Sequence, residues 1–200
     1  APAAAGASGG FQVFAALEGH VRGVTGLQFA GPFLWSAAVD RCLRVWQVSD
    51  TGAAQCVHTI TAANLGHAEA VAALEAWAWQ DTAYVISADL AGSVSVWEAG
   101  NGNHVYTEKF PQPVLALAVT SDIAGAPLLA LALGDGAVEL RELPTFTLKA
   151  TLSAQFSAGH RETVRALTAG PSNTLYSGSA DGMLMVWQIV GQIVGIGGSG

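Results

Sequence analysis

Two phrases of equal length, SAAVDRCLRVWQ at 36–47 and SGSADGMLMVWQ at 177–188, share an opening Ser, an Asp at the fifth place and a Trp-Gln close. Trp97 ends a third block and Arg141 holds the corresponding place in a fourth. Trp46, Trp97, Arg141 and Trp187 thus follow one another at intervals of 51, 44 and 46 residues. That period constrains the fold more than any composition does. A unit of this size cannot bury an apolar face alone, so successive units must stack and share their cores. Four units fill the 200 residues.

Inside each unit, apolar runs of a few residues alternate with Gly, Pro, Asn or Asp, which is strand-and-turn patterning with little helical periodicity. Strands are predicted near 24–29, 33–38, 42–48 and 55–60, then near 71–76, 83–88, 93–98 and 104–110. The third unit places them near 114–119, 127–132, 137–143 and 145–151, and the fourth near 164–169, 174–179 and 183–190. Asp135-Gly136 and Asp181-Gly182 are tight-hairpin dipeptides, so neighbouring strands pair as antiparallel meanders. The Ala/Gly-rich stretch 1–10 reads as a flexible leader, 11–190 as the four units (about 11–60, 61–110, 111–152 and 153–190), and 191–200 as a Gly-rich tail.

Composition excludes several classes. The formal net charge is −7, from 8 basic against 15 acidic residues, whereas gripping a phosphate backbone requires clustered Lys and Arg. Direct nucleic-acid contact is not expected of this chain. Cys42 and Cys56 are too few for a disulfide framework or a thiolate metal site, which points to an intracellular, reducing compartment, cytoplasm or nucleus. The opening has neither the charged nor the apolar region of a signal peptide, and the uncharged stretch after Met183 is interrupted by Gln188, Gln192 and glycines, so no membrane span is expected. No phosphate-loop pattern occurs. Charged residues make up only 12% and hydrophobic ones 51%, as expected when sheets are covered on both faces.

Gly19-His20, Gly66-His67 and Gly159-His160 precede the first, second and fourth blocks, and each of these blocks closes on Val-Trp followed by Gln or Glu. The chain resembles the WD-repeat family of β-propellers from Phe11 to Val190. The resemblance implies an all-β fold: four four-stranded antiparallel blades, fewer than the family's usual seven and therefore a partial propeller. The third block lacks Gly-His and has Arg141 for Trp, a degenerate blade. The second keeps Ser87 and Trp97 but has Ala91 where the turn Asp would fall, with Asp89 two places earlier, which leaves its internal bonding open. The Trp-less blade, followed by a Leu-Pro-aromatic hairpin in LLALALGDGAVELRELPTFTLKATL (128–152), is similar to the C-terminal part of plant-type proteins that join CCCH zinc fingers to a WD-repeat propeller. No such Cys/His cluster is present in this chain, so no metal or RNA contact carries over to its residues.

In that family the His, Ser, turn Asp and Trp form a hydrogen-bonded chain inside each blade. The resemblance implies this role for His20, Ser36, Asp40 and Trp46, for His67, Ser87 and Trp97, and for His160, Ser177, Asp181 and Trp187. A buried indole N–H or hydroxyl without a partner costs roughly 1–3 kcal/mol, so a connected network stabilises the blade and fixes its register. The rival reading is a Ser-His-Asp nucleophile. It fails on the absence of a nucleophile elbow and on the recurrence of the trio at the blade period. No catalytic, cofactor-binding or metal-binding residue is assigned, His58 and His104 being isolated.

Trp77 and Trp79 share one side of a strand and are expected in core or inter-blade packing. Arg22, Arg41 and Arg161 fall in the loops that the family places on the top face, where partner proteins dock. Phe11–Leu17 has the pattern of an outer strand for a preceding blade, and the repeated QIVG of 188–195 offers a closing strand for a compact four-blade ring as the alternative to a partial propeller. The function expected is a non-catalytic protein–protein interaction scaffold, completed by blades from further sequence or another subunit. The alternative is an RNA-associated regulator whose zinc fingers lie outside this chain.

Overall fold

The computed structural model describes residues 13–154 and 159–190; the leader 1–10 and the tail 191–200 expected from the sequence lie outside the described residues. Among the described residues, fifteen strands form four antiparallel meanders. The first comprises β1 (Val24–Ala30), β2 (Phe33–Ala38), β3 (Leu43–Val48) and β4 (Ala54–Ile60); the second β5 (Val71–Trp79), β6 (Thr82–Asp89), β7 (Ser93–Glu98) and β8 (His104–Lys109). The third holds β9 (Val114–Ser121), β10 (Pro127–Leu133), β11 (Val138–Glu142) and β12 (Thr147–Leu152), and the fourth β13 (Val164–Gly170), β14 (Thr174–Ser179) and β15 (Leu184–Gln188). A single 3₁₀ turn, Ala62–Asn64, is capped by Thr61. Among the described residues no helix is long and apolar enough to cross a membrane.

The sheets repeat one another in register. Leu27 opposes Ser36, Leu74 opposes Ser87 and Leu167 opposes Ser177, while a bulge falls immediately before Trp46, Trp97 and Arg141 in the pairing of third and fourth strands. The period-2 alternation of strands then decides which side chains meet the next sheet. At the first seam Trp35, Ala37, Leu43 and Val45 pack on Val71, Leu74, Ala76, Val85 and Trp97. At the second, Ile86, Ala88, Val94 and Val96 pack on Val114, Leu117 and Leu129. At the third, Ala130, Ala132, Val138 and Leu140 pack on Val164, Leu167, Leu175 and Trp187. Each sheet therefore has a leading face that bears the Ser and Trp of the repeat and a trailing face offset from it by one residue.

Of the fourth sheet, three strands lie among the described residues. The described part of the proposed outer strand, Val13–Leu17, joins no sheet and runs beside Gly52 of the first one. Among the described residues contact runs from β1 to β5 to β9 to β13, which gives the expected partial propeller and not the alternative four-blade ring. The arc is an open, partial propeller. Its ends expose apolar side chains, with Leu27 and Phe29 62% and 66% accessible at one end and Leu184 and Val186 69% and 57% at the other. Trp77 is buried in the second seam and stacks on Trp79 at 5.7 Å between centroids.

Candidate functional site

The recurring polar residues meet inside three of the sheets. In the first, His20 Nδ1 lies 3.0 Å from Asp40 Oδ2, His20 Nε2 2.7 Å from Ser36 Oγ, and Trp46 Nε1 donates to Ser36 Oγ at 2.8 Å. In the fourth, the His160–Asp181, His160–Ser177 and Trp187–Ser177 distances are 3.1, 2.8 and 2.8 Å. In the second, His67 Nδ1 is 2.8 Å from Asp89 Oδ2, His67 Nε2 2.7 Å from Ser87 Oγ, and Trp97 Nε1 donates to Ser87 Oγ at 2.8 Å. Asp89, not a residue at the Ala91 position, supplies the carboxylate. Every donor finds an acceptor when the imidazole carries its proton on Nδ1: the ring donates to Asp, the Ser hydroxyl donates to Nε2, and the Ser oxygen accepts from the indole.

The carboxylates are also tied to backbone. Asp40 accepts from Val21 N and Cys42 N at 2.9 and 3.1 Å, Asp89 from Ala91 N and Ser93 N at 3.0 and 2.8 Å, and Asp181 from Arg161 N and Met183 N at 3.1 and 2.9 Å. Burial alone would raise all three carboxyls, but these hydrogen bonds and the His partners outweigh it and hold them below the ordinary Asp range. The glycine before each His has a steric cause in two units. A Cβ on Gly66 would lie 2.6 Å from the Thr61 carbonyl oxygen, and one on Gly159 would lie 2.4 Å from the Ser153 carbonyl carbon.

As a chemical constellation this is closed. Ser36, Ser87 and Ser177 are buried, and each hydroxyl oxygen already accepts an indole proton, so none presents a nucleophile to a substrate. His104 is spent on Thr107 at 2.6 Å and packs edge-on to Trp97. No group of three metal-ligating side chains occurs among the described residues.

The third sheet solves the same problem with apolar side chains in place of His and Ser and an arginine in place of Trp. Phe110 stands four residues before its first strand, where the other sheets have His, and Leu131 stands ten before Arg141, where they have Ser. Both are buried in the second seam. The Arg141 guanidinium lies 4.7 Å over the Phe110 ring, donates to the Phe146 carbonyl at 3.0 Å and pairs with Glu139 at 2.8 Å. An indole in its place would have no hydroxyl to donate to.

The loop arginines are exposed and fall into two clefts. Arg22 and Arg41 line one of about 300 Å³ with Glu69 at the first seam, and Arg161 lines one of about 470 Å³ with Asp135 and Glu139 at the third. Arg41 stands apart from the other two. Its φ of 69° is left-handed, at the turn position that Gly92, Gly136 and Gly182 occupy in the other sheets with φ of 78°, 90° and 79°. Its Nη1 donates across the seam to the Ala68 carbonyl at 3.0 Å.

Comparison with known proteins agrees with this architecture. The family described as WD domain, G-beta repeat matches residues 148–188. The chain is 31% identical over 184 residues to zinc finger CCCH domain-containing protein 17 of Oryza sativa subsp. japonica, covering 92% of this chain and 39% of that protein. It is 31% identical over 180 residues to zinc finger CCCH domain-containing protein 62 of Arabidopsis thaliana, covering 90% of this chain and 40% of that one. It therefore spans well under half the length of these relatives. Among solved structures, the computationally designed Ika4 protein superposes with a TM-score of 0.66 at 26% identity, over 90% of this chain and 99% of Ika4. The designed Ika8 protein gives 0.66 at 27% identity, over 88% of this chain and 49% of Ika8. With the Trp period, the repeated register and three like-built polar networks beside these similarities, the four sheets are repeats of the WD kind, and the one spanning 148–188 matches the WD domain, G-beta repeat family.

Proposed function

We propose that the chain is a non-catalytic interaction scaffold, a propeller segment that holds partner proteins within a larger intracellular assembly. Its His, Ser, Asp and Trp side chains are consumed in joining strands, which leaves the loops and the ends of the arc to meet other molecules. The observation that carries the reading is Arg41. An exposed non-glycine residue in left-handed backbone costs about 1 kcal/mol relative to glycine, and three sister turns have glycine there. Arg41 bears that strain in an exposed loop and spans the first seam to the Ala68 carbonyl, which supports this loop as a contact surface. Arg22 beside it and Arg161 at the third seam extend the same surface, and the partners are proteins, not nucleic acid or membrane.

Cross-linking mass spectrometry from native extract tests this. The scaffold reading expects protein cross-links at the loops of Arg22, Arg41 and Arg161 that vanish when the three are replaced by Ala, with the melting temperature held. A hydrolytic activity lost in Ser177→Ala overturns it. The second reading, an RNA-associated regulator, draws on the zinc-finger names of the relatives. It requires CCCH spacings in sequence beyond these residues, and sequencing the full transcript decides it.

A further inference from the structure

The turn between β7 and β8 holds the one Asn-Gly pair of the sequence, Asn101-Gly102, whereas Asn64, Asn103 and Asn173 precede Leu, His and Thr. An Asn side-chain amide is open to attack by the nitrogen of the peptide bond that follows it. A side chain on the next residue hinders that approach, and glycine has no Cβ to do so. The turn also arranges the electrophile. Asn101 Oδ1 accepts from Asn103 N at 2.9 Å and Asn101 Nδ2 donates to Glu98 Oε2, so the amide is folded back over the Asn101-Gly102 peptide and held at both ends. The Asn103 N–H points at the oxygen on which negative charge grows when the carbonyl carbon is attacked. Asn101 is exposed, so water and solvent base reach it. One contact opposes the reaction: Gly102 N donates to the Glu98 carbonyl at 3.0 Å, and that hydrogen bond must open first.

We infer that Asn101 is a self-modifying position of this fold. The Gly102 nitrogen gives its proton to solvent base and bonds to Asn101 Cγ; the Cγ–Nδ2 bond breaks, and the nitrogen takes up a proton and leaves as ammonia. One water then opens the succinimide at either carbonyl, to aspartate or to isoaspartate. The product puts a carboxylate where a neutral amide donated to Glu98. With Asp81 these residues line a cleft of about 270 Å³ at the first seam, and no Lys or Arg stands among its described lining residues. The same turn is tied across that seam: Trp35 Nε1 donates to the Ala99 carbonyl at 3.2 Å, and a Cβ on Gly102 would lie 3.4 Å from His58 Cγ. Conversion therefore loosens the seat of the second sheet on the first.

The test is peptide mass spectrometry of the folded 200-residue chain held at mildly alkaline pH, reading the mass gain of amide-to-acid exchange, with isoaspartate told from aspartate by fragmentation. Asn101 is expected to convert more than about tenfold faster than Asn64, Asn103 or Asn173. Gly102→Ala should slow conversion by a similar factor. The φ of 71° strains that alanine, but the space beside His58 admits its Cβ, so the sheets keep their circular dichroism. A parallel sample in guanidinium chloride gives the rate of the same sequence without the turn. Asn101 left intact in the folded chain over a time in which the denatured sample converts overturns the inference, as does conversion no faster than that of the other asparagines. Asn101→Asp makes one product directly. It is expected to lower the melting temperature, and the loss should shrink in high salt because it comes from carboxylates facing one another through water. A melting temperature equal to that of the wild type at low salt overturns the effect on the seam.

Discussion

At Ser87 one oxygen accepts from the Trp97 indole and offers its proton to His67, in a site where all of these side chains are buried. Ser87→Ala leaves two polar groups without partners and is expected to cost about 1–3 kcal/mol in denaturant unfolding. The double variant Ser87→Ala/Trp97→Phe costs less than the sum of the singles, because the stranded indole N–H is removed. Acid acts on the same network. The unfolded Asp carboxyl titrates near 3.9, whereas Asp40, Asp89 and Asp181 are held lower in the fold. The network's contribution is therefore complete above about pH 4 and is lost as pH falls through the native values. Urea midpoints measured from pH 6 downwards should fall below pH 4, less steeply in Asp89→Asn than in wild type. Arg41→Gly is expected to gain about 1 kcal/mol by releasing the left-handed strain, while losing the cross-links at that loop. The partnership of His20 with Asp40 and of His160 with Asp181 is legible because each Asp stands four residues after its Ser. Asp89 stands two after Ser87, at the strand end opposite Val71, where the first sheet has Ala38 opposite Val24. Counting along the chain misses it; a carboxylate needs only to be within reach.

Between elements, the third sheet shows that a repeat can keep its shape and exchange its chemistry. Phe110, Leu131 and Arg141 replace His, Ser and Trp together, so restoring one member alone is unfavourable. Arg141→Trp is expected to lower thermal stability, since its indole N–H would face Leu131, and adding Leu131→Ser with Phe110→His should recover part of the loss. A second element-level feature is Glu75 on β5. Burial pushes its carboxyl up to about 7, against backbone N–H groups of Ala76 and Val119 that favour the ion. The folded state thus holds the proton more tightly than the unfolded chain, whose Glu titrates near 4.3. Stability from this group is complete below that value and is lost as pH rises towards 7. Glu75→Gln should remove that slope and stabilise the protein at pH 8 by roughly 1–2 kcal/mol, after allowance for solvent screening. Most strand bounds follow from the alternation to within a residue or two. The exception is β5, expected to stop at 76 and found to run to Trp79. Its turn, Gln80-Asp81, takes positive φ at both residues without a glycine, so the usual hairpin mark is missing from the sequence.

Over the whole molecule, the period of the repeat predicts how many sheets form but not whether they close, because closure depends on the angle between successive sheets and no residue pattern records it. What the open arc does fix is a gradient. Among the described residues, the second and third sheets are covered on both faces by the three seams, whereas the first and fourth each take part in one seam and carry exposed apolar side chains on the other face. In a linear array, stability is the sum of each unit's own and that of its nearest-neighbour interfaces, so the outer units open first. The fourth sheet is the weakest by this reasoning. Its Trp187 is only partly buried where Trp97 is 1% accessible. Hydrogen exchange at a concentration that keeps the chain monomeric should therefore protect amides of β6, β7, β10 and β11 most, and those of β14 and β15 least. Val164→Ala cuts the third seam, and is expected to speed exchange in β13–β15 while leaving β6 and β7 unchanged. Uniform protection across the four sheets would mean that the arc opens as one cooperative body and that the end faces do not govern its stability.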